Sequence, residues 1–259
     1  MKKVLIFVAS GYSTRMGGFP KALAKVGEKC VIVNAIELAA PYYDNIFVIA
    51  NPTTFPAFQT ELEHHTLKVS VRKIVTGKGD AESVLKSLEL IESEIGMGYD
   101  ATLCWGDAFF ASEIPFQTMQ NHETPIKEIS SILVGCSVDR DPYAYFDVFT
   151  EDGNLNKMKI SRSYFKKIAG SVPEGIHDQC IFRCYSSTFL ECLSLYRAEL
   201  GYDGENYLKS SINEMGLLNS FSFFASINKN AVIQMMPSHN VFSFNTLEEL
   251  EEINQRVRV

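Results

Sequence analysis

KVLIFVASGYSTRMGGFPKAL, residues 3–23, is the stretch on which the fold turns. Its first seven residues, Lys3 to Ala9, are a near-continuous apolar run, the pattern of a parallel strand covered on both faces. The run breaks into a loop of glycines and hydroxyls over 11–20 and then reaches Lys21. A buried strand ending in such a loop brings backbone N–H groups close to phosphate oxygens. Gly11, Gly17 and Gly18 allow close approach and positive φ. Arg15 and Lys21 add cations six residues apart, suited to neutralising a triphosphate. Neither GxxxxGK[ST] nor GxGxxG is present. On spacing alone, a plain surface loop after the first strand stays open beside phosphate binding.

Working outward, the pattern predicts a helix over 31–40 and a strand over 45–50 ended by Asn51-Pro52. A third strand over 68–75, a helix over 81–91 and a strand over 100–105 opening into Gly106-Asp107 follow. Strands alternating with helices mean βαβ units and a mostly parallel sheet. After residue 130 the texture changes. Strands are expected over 131–138 and 145–150, with a turn at 151–154 and a hairpin partner over 155–160. A strand over 179–184, helices over 187–197 and 206–215, and a strand over 231–236 come next. A closing helix over 246–255 is capped by Asn245 or Thr246. With no Pro-, Gly- or Ser-rich linker and no repeat, residues 1–259 are expected to form one α/β domain. Its halves are 1–125 and 126–259, the second adding antiparallel strands.

The chain has 259 residues, at the upper end of what one hydrophobic core supports. It is 46% hydrophobic and 21% charged, which sets aside disorder, collagen, coiled coil and disulfide scaffold. Lys plus Arg number 24 against 31 Asp plus Glu, a net charge of −7. That balance argues against a nucleic-acid binder, which needs a basic face, but not against a small anionic ligand held by a few placed cations. Apolar runs reach only about six residues, far short of the ~20 that span a bilayer. Lys2-Lys3 with 4–9 is too short for a signal peptide's apolar core. The 6 cysteines show no CxxC pair and no zinc spacing. Buried free thiols in a reducing compartment, the cytoplasm, are the expectation. His64, His65, His122, His177 and His239 sit in no HxxxH or triad context, and GxSxG is missing.

Gly11-x-Ser-Thr-Arg15-Met-Gly17 followed by Pro20-Lys21-Ala-Leu resembles the opening signature of the nucleotidyltransferases that make nucleotide-activated sugars and related phosphates. Members include N-acetylglucosamine-1-phosphate uridylyltransferase, the molybdenum-cofactor nucleotidyltransferases, and the cytidylyltransferases of isoprenoid and surface-polymer pathways. About eight positions agree in order and spacing, and Val26-Gly27 before a helix continues the match. The resemblance implies a three-layer, Rossmann-like nucleotide-diphospho-sugar transferase fold. It also implies that Ala9, Ser10 and Gly11 hold base and ribose through backbone atoms, while Arg15 and Lys21 grip phosphates.

Residues 75–84 lie where the family places its second base-contacting loop and the following helix, which would make Gly77, Gly79, Asp80 and Ser83 nucleotide contacts. Uridylyltransferases carry a uracil-reading Gln where this chain has Val75. Gly79-Asp80 and Ser83-Val84 look instead like the loop of methylerythritol phosphate cytidylyltransferase, tilting the expectation toward CTP over UTP. For Asp80, an ordinary N-cap carboxylate is the alternative. Trp105-Gly106-Asp107 stands where the family's Gly-Asp supplies an acidic Mg²⁺ ligand, beyond the carboxyl end of a strand. Phe242-Ser-Phe244-Asn245-Thr-Leu-Glu-Glu-Leu resembles the family's late motif whose Asn or Asp completes that site. Asp107 and Asn245 are thus expected to share one Mg²⁺, beside the alternatives of a turn carboxylate and a helix cap.

Between 130 and 230 the likeness thins. Tyr143-Ala144 stands for Tyr-Gly, Asp178-Gln179-Cys180 for Asn-Thr-Gly, and Met158-Lys159-Ile160-Ser161 lacks its usual Glu. An N-acetylhexosamine phosphate is therefore disfavoured as acceptor. Lys157, Lys159, Arg162, Lys166 and Lys167 could focus another anionic acceptor or simply form a solvated face. The function expected is transfer of NMP from a nucleoside triphosphate to a phosphorylated small-molecule acceptor, without nucleic acid or membrane, self-association being left open. A glycosyltransferase would carry Asp-x-Asp where Gly106-Asp107-Ala108 stands. A nucleotide-sensing subunit would be expected to lose Arg15, Lys21 or Asp107.

Overall fold

The computed structural model describes residues 1–13, 16–65, 68–75, 78–140, 144–149, 155–160, 173–238 and 240–257. Arg15, Gly77, Tyr143, Ser161, Arg162, Lys166, Lys167, His239 and the turn expected at 151–154 lie outside the described residues. In chain order the strands are β1 (Lys3–Ala9), β2 (Lys25–Val26), β3 (Lys29–Cys30), β4 (Asn45–Ala50), β5 (Ser70–Lys73), β6 (Asp100–Trp105) and β7 (Ala108–Phe110). β8 (Leu133–Arg140), β9 (Ala144–Phe149), β10 (Leu155–Ile160), β11 (Glu174–Tyr185), β12 (Val232–Met235) and β13 (Val241–Ser243) follow. The helices are α1 (Val31–Ala39), α2 (Phe55–Glu63), α3 (Asp80–Ile95), α4 (Ile114–Gln120), α5 (Ser186–Glu199), α6 (Ser220–Ser226) and α7 (Leu247–Val257).

The main sheet runs β10-β9-β11-β6-β1-β4-β5, with β8 also on β11 and β12 on β8. β1, β4, β5 and β6 are mutually parallel where they pair. β11 joins β6 antiparallel and starts the antiparallel extension through β8, β9 and β10. The mostly parallel sheet with antiparallel additions in the second half is thus as the sequence predicts. Alternation along β1 explains the three layers. Val4 and Ile6 face a core shared with α3, α5 and α6, while Leu5 and Phe7 face one shared with α1, α2 and α4. A strand buried on both faces has to be apolar throughout. The chain leaves β1 toward β4 on one side and returns through α3 to β6 on the other. The carboxyl ends of β1 and β6 therefore flank the topological switch point, where open α/β sheets bind ligands.

One helix expected from the sequence is absent, and three short helices and the short strands β2, β3, β7 and β13 are additional to the expected elements. The helix expected over 206–215 is a series of turns. Leu208 and Ile212, whose spacing imitates a helix face, are 69% and 64% exposed. Polar side chains take the backbone groups a helix would use. Asn213, at φ 54°, accepts the Tyr207 N–H at 2.7 Å, and Ser210 exchanges hydrogen bonds with the Glu214 backbone. The short helices α2, α4 and α6 were not expected, although Pro56 and Pro115 in the first turns of α2 and α4 are start signals. All six cysteines are free, five of them buried. Burial pushes the Cys192 thiol up to about 11, so it is a poor nucleophile at neutral pH. Among the described residues no helix is long and apolar enough to cross a membrane.

Candidate active site

β1 ends at Ala9, and β6 ends one residue before Gly106. Gly106 donates its N–H to Val8 O at 3.0 Å, and a Cβ there would sit 2.6 Å from that of Ala9. Only glycine lets the two strand ends approach this closely, which sets Asp107 beside the loop after β1. Ser10 is buried, and its carbonyl and that of Gly11 accept hydrogen bonds from Asn51 Nδ2 at 3.2 and 3.1 Å. Asn51 is fully buried at the end of β4, and its Oδ1 also takes the N–H groups of Thr53 and Thr54. Asn51 thus ties the backbone of the loop after β1 to the sheet. Sequence reading had given it only the role of a strand breaker.

The loop then folds back on itself. Ser13 O accepts from Met16 and Gly18, and a short 3-10 turn spans Lys21–Leu23. Beneath it Met16, Ala24 and Val26 pack with Val31, Phe109, Phe244 and Ile253 in a small separate core. That core joins the loop to β7 and to α7, two elements more than eighty residues further along the chain. The result is a convergence of three side chains. Lys21 Nζ donates to Asp107 Oδ2 at 3.0 Å and to Asn245 Oδ1 at 2.8 Å. The two acceptors therefore lie within two hydrogen-bond lengths of one another. Lys21 is 13% exposed and Asp107 33%.

The helix cap belongs to Thr246. Its Oγ1 accepts the Glu249 N–H at 3.2 Å, and the Glu249 carboxylate reaches back to the N–H groups of Asn245 and Thr246. This is a capping box, and it leaves the Asn245 amide to meet Lys21. The alternative of Asn245 as the cap of the closing helix is corrected on that ground.

The second loop is built differently. Gly79, at φ 107°, precedes α3, and a Cβ there would lie 2.3 Å from Met215 O. Met215 N–H donates to Lys78 O and Ala81 N–H to Met215 O, zipping the loop to the 215–217 segment. Asp80 Oδ1 accepts from Leu217 N at 2.7 Å and from Ala81 N at 2.8 Å. Asp80 is therefore a bracket to a distant segment, rather than the N-cap weighed as its alternative; the cap position is held by Gly79. Ser83 Oγ donates to Gly79 O at 3.2 Å, and Val75 is 74% exposed. In the second half of the chain, β11 carries a register shift between Asp178 and Phe182, with Cys180 at φ 55°. There His177 Nε2 meets Asp139 Oδ2 at 2.5 Å, and Gln179 Nε2 lies 3.2 Å from the same nitrogen.

A carboxylate and an amide oxygen converging on one cation fit a hard divalent ion such as Mg²⁺. Among the described residues no group of three or more His, Cys, Asp or Glu could hold a metal. Water and phosphate oxygens would therefore have to supply the remaining ligands, as Mg²⁺ at nucleotide sites commonly requires.

The fold is that of an α/β protein with three convergent side chains beside a topological switch point. Residues 5–107 match the MobA-like NTP transferase domain. Among curated proteins, none matches the sequence. An inositol-1-phosphate CTP transferase from T. maritima superposes with TM-score 0.67 at 14% identity, covering 100% of this chain and 96% of that one. CTP:phosphocholine cytidylyltransferase from Streptococcus pneumoniae gives 0.65 at 12%, over 99% and 100%. A nucleoside-diphosphate-sugar pyrophosphorylase from Vibrio cholerae RC9 gives 0.67 at 14%, over 97% and 99%. At these identities the likeness concerns the fold, which is that of the nucleotide-diphospho-sugar transferases.

Proposed function

We propose that this protein is a nucleotidyltransferase. It transfers NMP from a pyrimidine nucleoside triphosphate, CTP ahead of UTP, to the phosphate of a small acceptor such as a sugar or alcohol phosphate. The observation that carries the reading is the meeting of Lys21, Asp107 and Asn245 at the switch point. Residues 1–259 act as one unit, 1–125 holding the nucleotide and 126–259 the acceptor, in keeping with β11 pairing directly with β6.

An acceptor phosphate oxygen attacks the α-phosphorus. The new O–P bond forms as the bond to the β-phosphate oxygen breaks, and pyrophosphate leaves with the electron pair. The attacking oxygen is already anionic, so no strong general base is required, and rate comes from positioning and charge neutralisation. Ala9, Ser10 and Gly11 hold the base and ribose through backbone atoms, with Arg15 and Lys21 on the phosphates. The base lies toward Gly77, Gly79, Asp80 and Ser83. Asp107 and Asn245 would hold Mg²⁺, which would supply neutralisation of phosphate charge.

CTP is favoured because exposed Val75 replaces the uracil-reading Gln, and because two of the structural neighbours are CTP-using enzymes by name. The test is pyrophosphate release from each of four nucleoside triphosphates against a panel of sugar, polyol and amino-alcohol phosphates. Release should be greatest with CTP and should need both acceptor and Mg²⁺. A preference for a purine triphosphate would refute the base assignment, and silence across the panel would refute the reaction class.

A further inference from the structure

We infer that Lys21 is a resident counter-ion that makes metal binding conditional on the nucleotide. The inference rests on the Mg²⁺ reading above and goes beyond it to the order of assembly. The Lys21 ammonium donates to Asp107 Oδ2 and Asn245 Oδ1 at 3.0 and 2.8 Å, the two oxygens assigned to the metal. One ammonium and one divalent cation cannot both occupy the point where these oxygens converge, because like charges at contact distance repel strongly in a partly desolvated site. With Lys21 13% exposed, little water is available to screen that repulsion. While Lys21 holds this position, the protein satisfies its two acceptors internally, and a divalent ion arriving alone has to displace a charge-assisted pair.

An arriving triphosphate changes the balance. It offers the ammonium stronger anionic partners and brings oxygens that complete the metal's shell. The backbone of Lys21 is fixed in the Lys21–Leu23 turn, with Ala24 N–H donating to Lys21 O at 2.9 Å. The exchange therefore asks only for rotation of a long side chain, without movement of the loop. Asn245 keeps its place in both states because the capping box holds α7 independently of it. By linkage, the triphosphate raises metal affinity by the same factor as the metal raises triphosphate affinity, and Lys21 sets part of that factor.

The experiment measures Mn²⁺ binding by the whole protein from the free-ion paramagnetic signal, with Mn²⁺ alone and with a non-hydrolysable CTP analogue. Wild type should bind Mn²⁺ weakly alone and more tightly with the analogue, counted beyond the Mn²⁺ that the analogue binds without protein. Lys21→Met should bind Mn²⁺ alone about tenfold more tightly than wild type, within the usual range of coupling between sites. Lys21→Arg, which keeps the charge, should stay as weak as wild type. Equal affinity of wild type and Lys21→Met for Mn²⁺ alone, including no binding by either, overturns the counter-ion role. Absence of Mn²⁺ binding by wild type with the analogue present overturns the metal reading itself, so the two failures are distinguishable. Circular dichroism of each variant at the assay temperature confirms that a folded protein is being titrated.

Discussion

Asp100 and Asp107 stand at the two ends of β6, seven positions apart, and each faces a cation. At the start of the strand Arg183 grips Asp100 through both oxygens, Nε to Oδ1 at 2.8 Å and Nη2 to Oδ2 at 2.7 Å. A remaining guanidinium nitrogen donates to Met119 O, and the two side chains are only 8% and 3% exposed. Just past the other end Asp107 meets Lys21 through one oxygen, is a third exposed, and shares the ammonium with Asn245. The chemistry is the same, a carboxylate and a cation. The planar guanidinium fork, bidentate and out of water, is a fixed staple. The point-charge ammonium on a flexible stem can be traded for another partner. Structure is held at one end of the strand and exchange takes place at the other.

The largest effect is expected at the buried end. Asp100→Ala leaves Arg183 charged and unpaired in the core, so unfolding free energy should fall by about 3–5 kcal/mol. Urea denaturation checks this, and turnover per folded molecule should be unchanged. A stable Asp100→Ala protein would mean that the pair is not the staple described. Lys21→Ala and Arg15→Ala should do the reverse, each losing a charge-assisted phosphate contact of about 1.5–3 kcal/mol, roughly ten- to a hundredfold in kcat/KM. Their melting temperatures should stay near that of wild type. Pyrophosphate release within twofold of wild type in either variant would sink the loop assignment.

Smaller effects are expected at α7. Thr246→Ala should cost about 1 kcal/mol of stability through the lost cap, whereas Asn245→Ala should melt like wild type and require more Mg²⁺ for half-maximal rate. Thermal melts beside Mg²⁺ titrations of both variants separate cap from site, and a swapped pattern would contradict the capping box. The smallest effect concerns His177. Burial pulls its pKa down, but the hydrogen bond to Asp139 and the charges of Asp178 and Asp139 outweigh it and leave the imidazole above its ordinary value. A folded pKa that is raised contributes stability fully present below the ordinary His value of about 6.5 and lost as pH rises through the folded one. Wild type should therefore lose stability between mildly acidic and mildly alkaline pH, and Asp139→Asn should lose less. Parallel pH profiles for the two proteins would show that the pair carries no linkage.

What was legible in the sequence was what is local. The apolar run of β1, the glycine and hydroxyl loop, and Gly106-Asp107 after β6 each announce themselves within a few residues. Asn245 could be picked out by its motif, and the Thr246-x-x-Glu249 pattern of a capping box was also in plain view. Asn51 could not be recognised as a loop anchor, because the carbonyls it holds lie 40 and 41 positions earlier. His177 was set aside for a similar reason, its partner Asp139 being 38 positions away across β8 and β11. The first half of β11 was hidden by its own polar residues, and its irregularity turns on a cysteine in the left-handed region, where no glycine marks the position. The false helix over 206–215 shows the converse: Tyr207 and Met215 are buried at its ends, but Leu208 and Ile212 between them are exposed, so the apolar spacing does not mark one packed helix face.

The account's central claim is that an acceptor phosphate oxygen displaces pyrophosphate from the α-phosphorus at the Lys21, Asp107 and Asn245 centre. The most direct test supplies CTP with an acceptor whose phosphate oxygens are labelled with heavy oxygen, follows the products by phosphorus NMR, and repeats the reaction with Asp107→Asn. The account expects the label in the diphosphate bridge of the product, none in the released pyrophosphate, and little product from the variant. Label in the pyrophosphate, or equal turnover by Asp107→Asn, would contradict it.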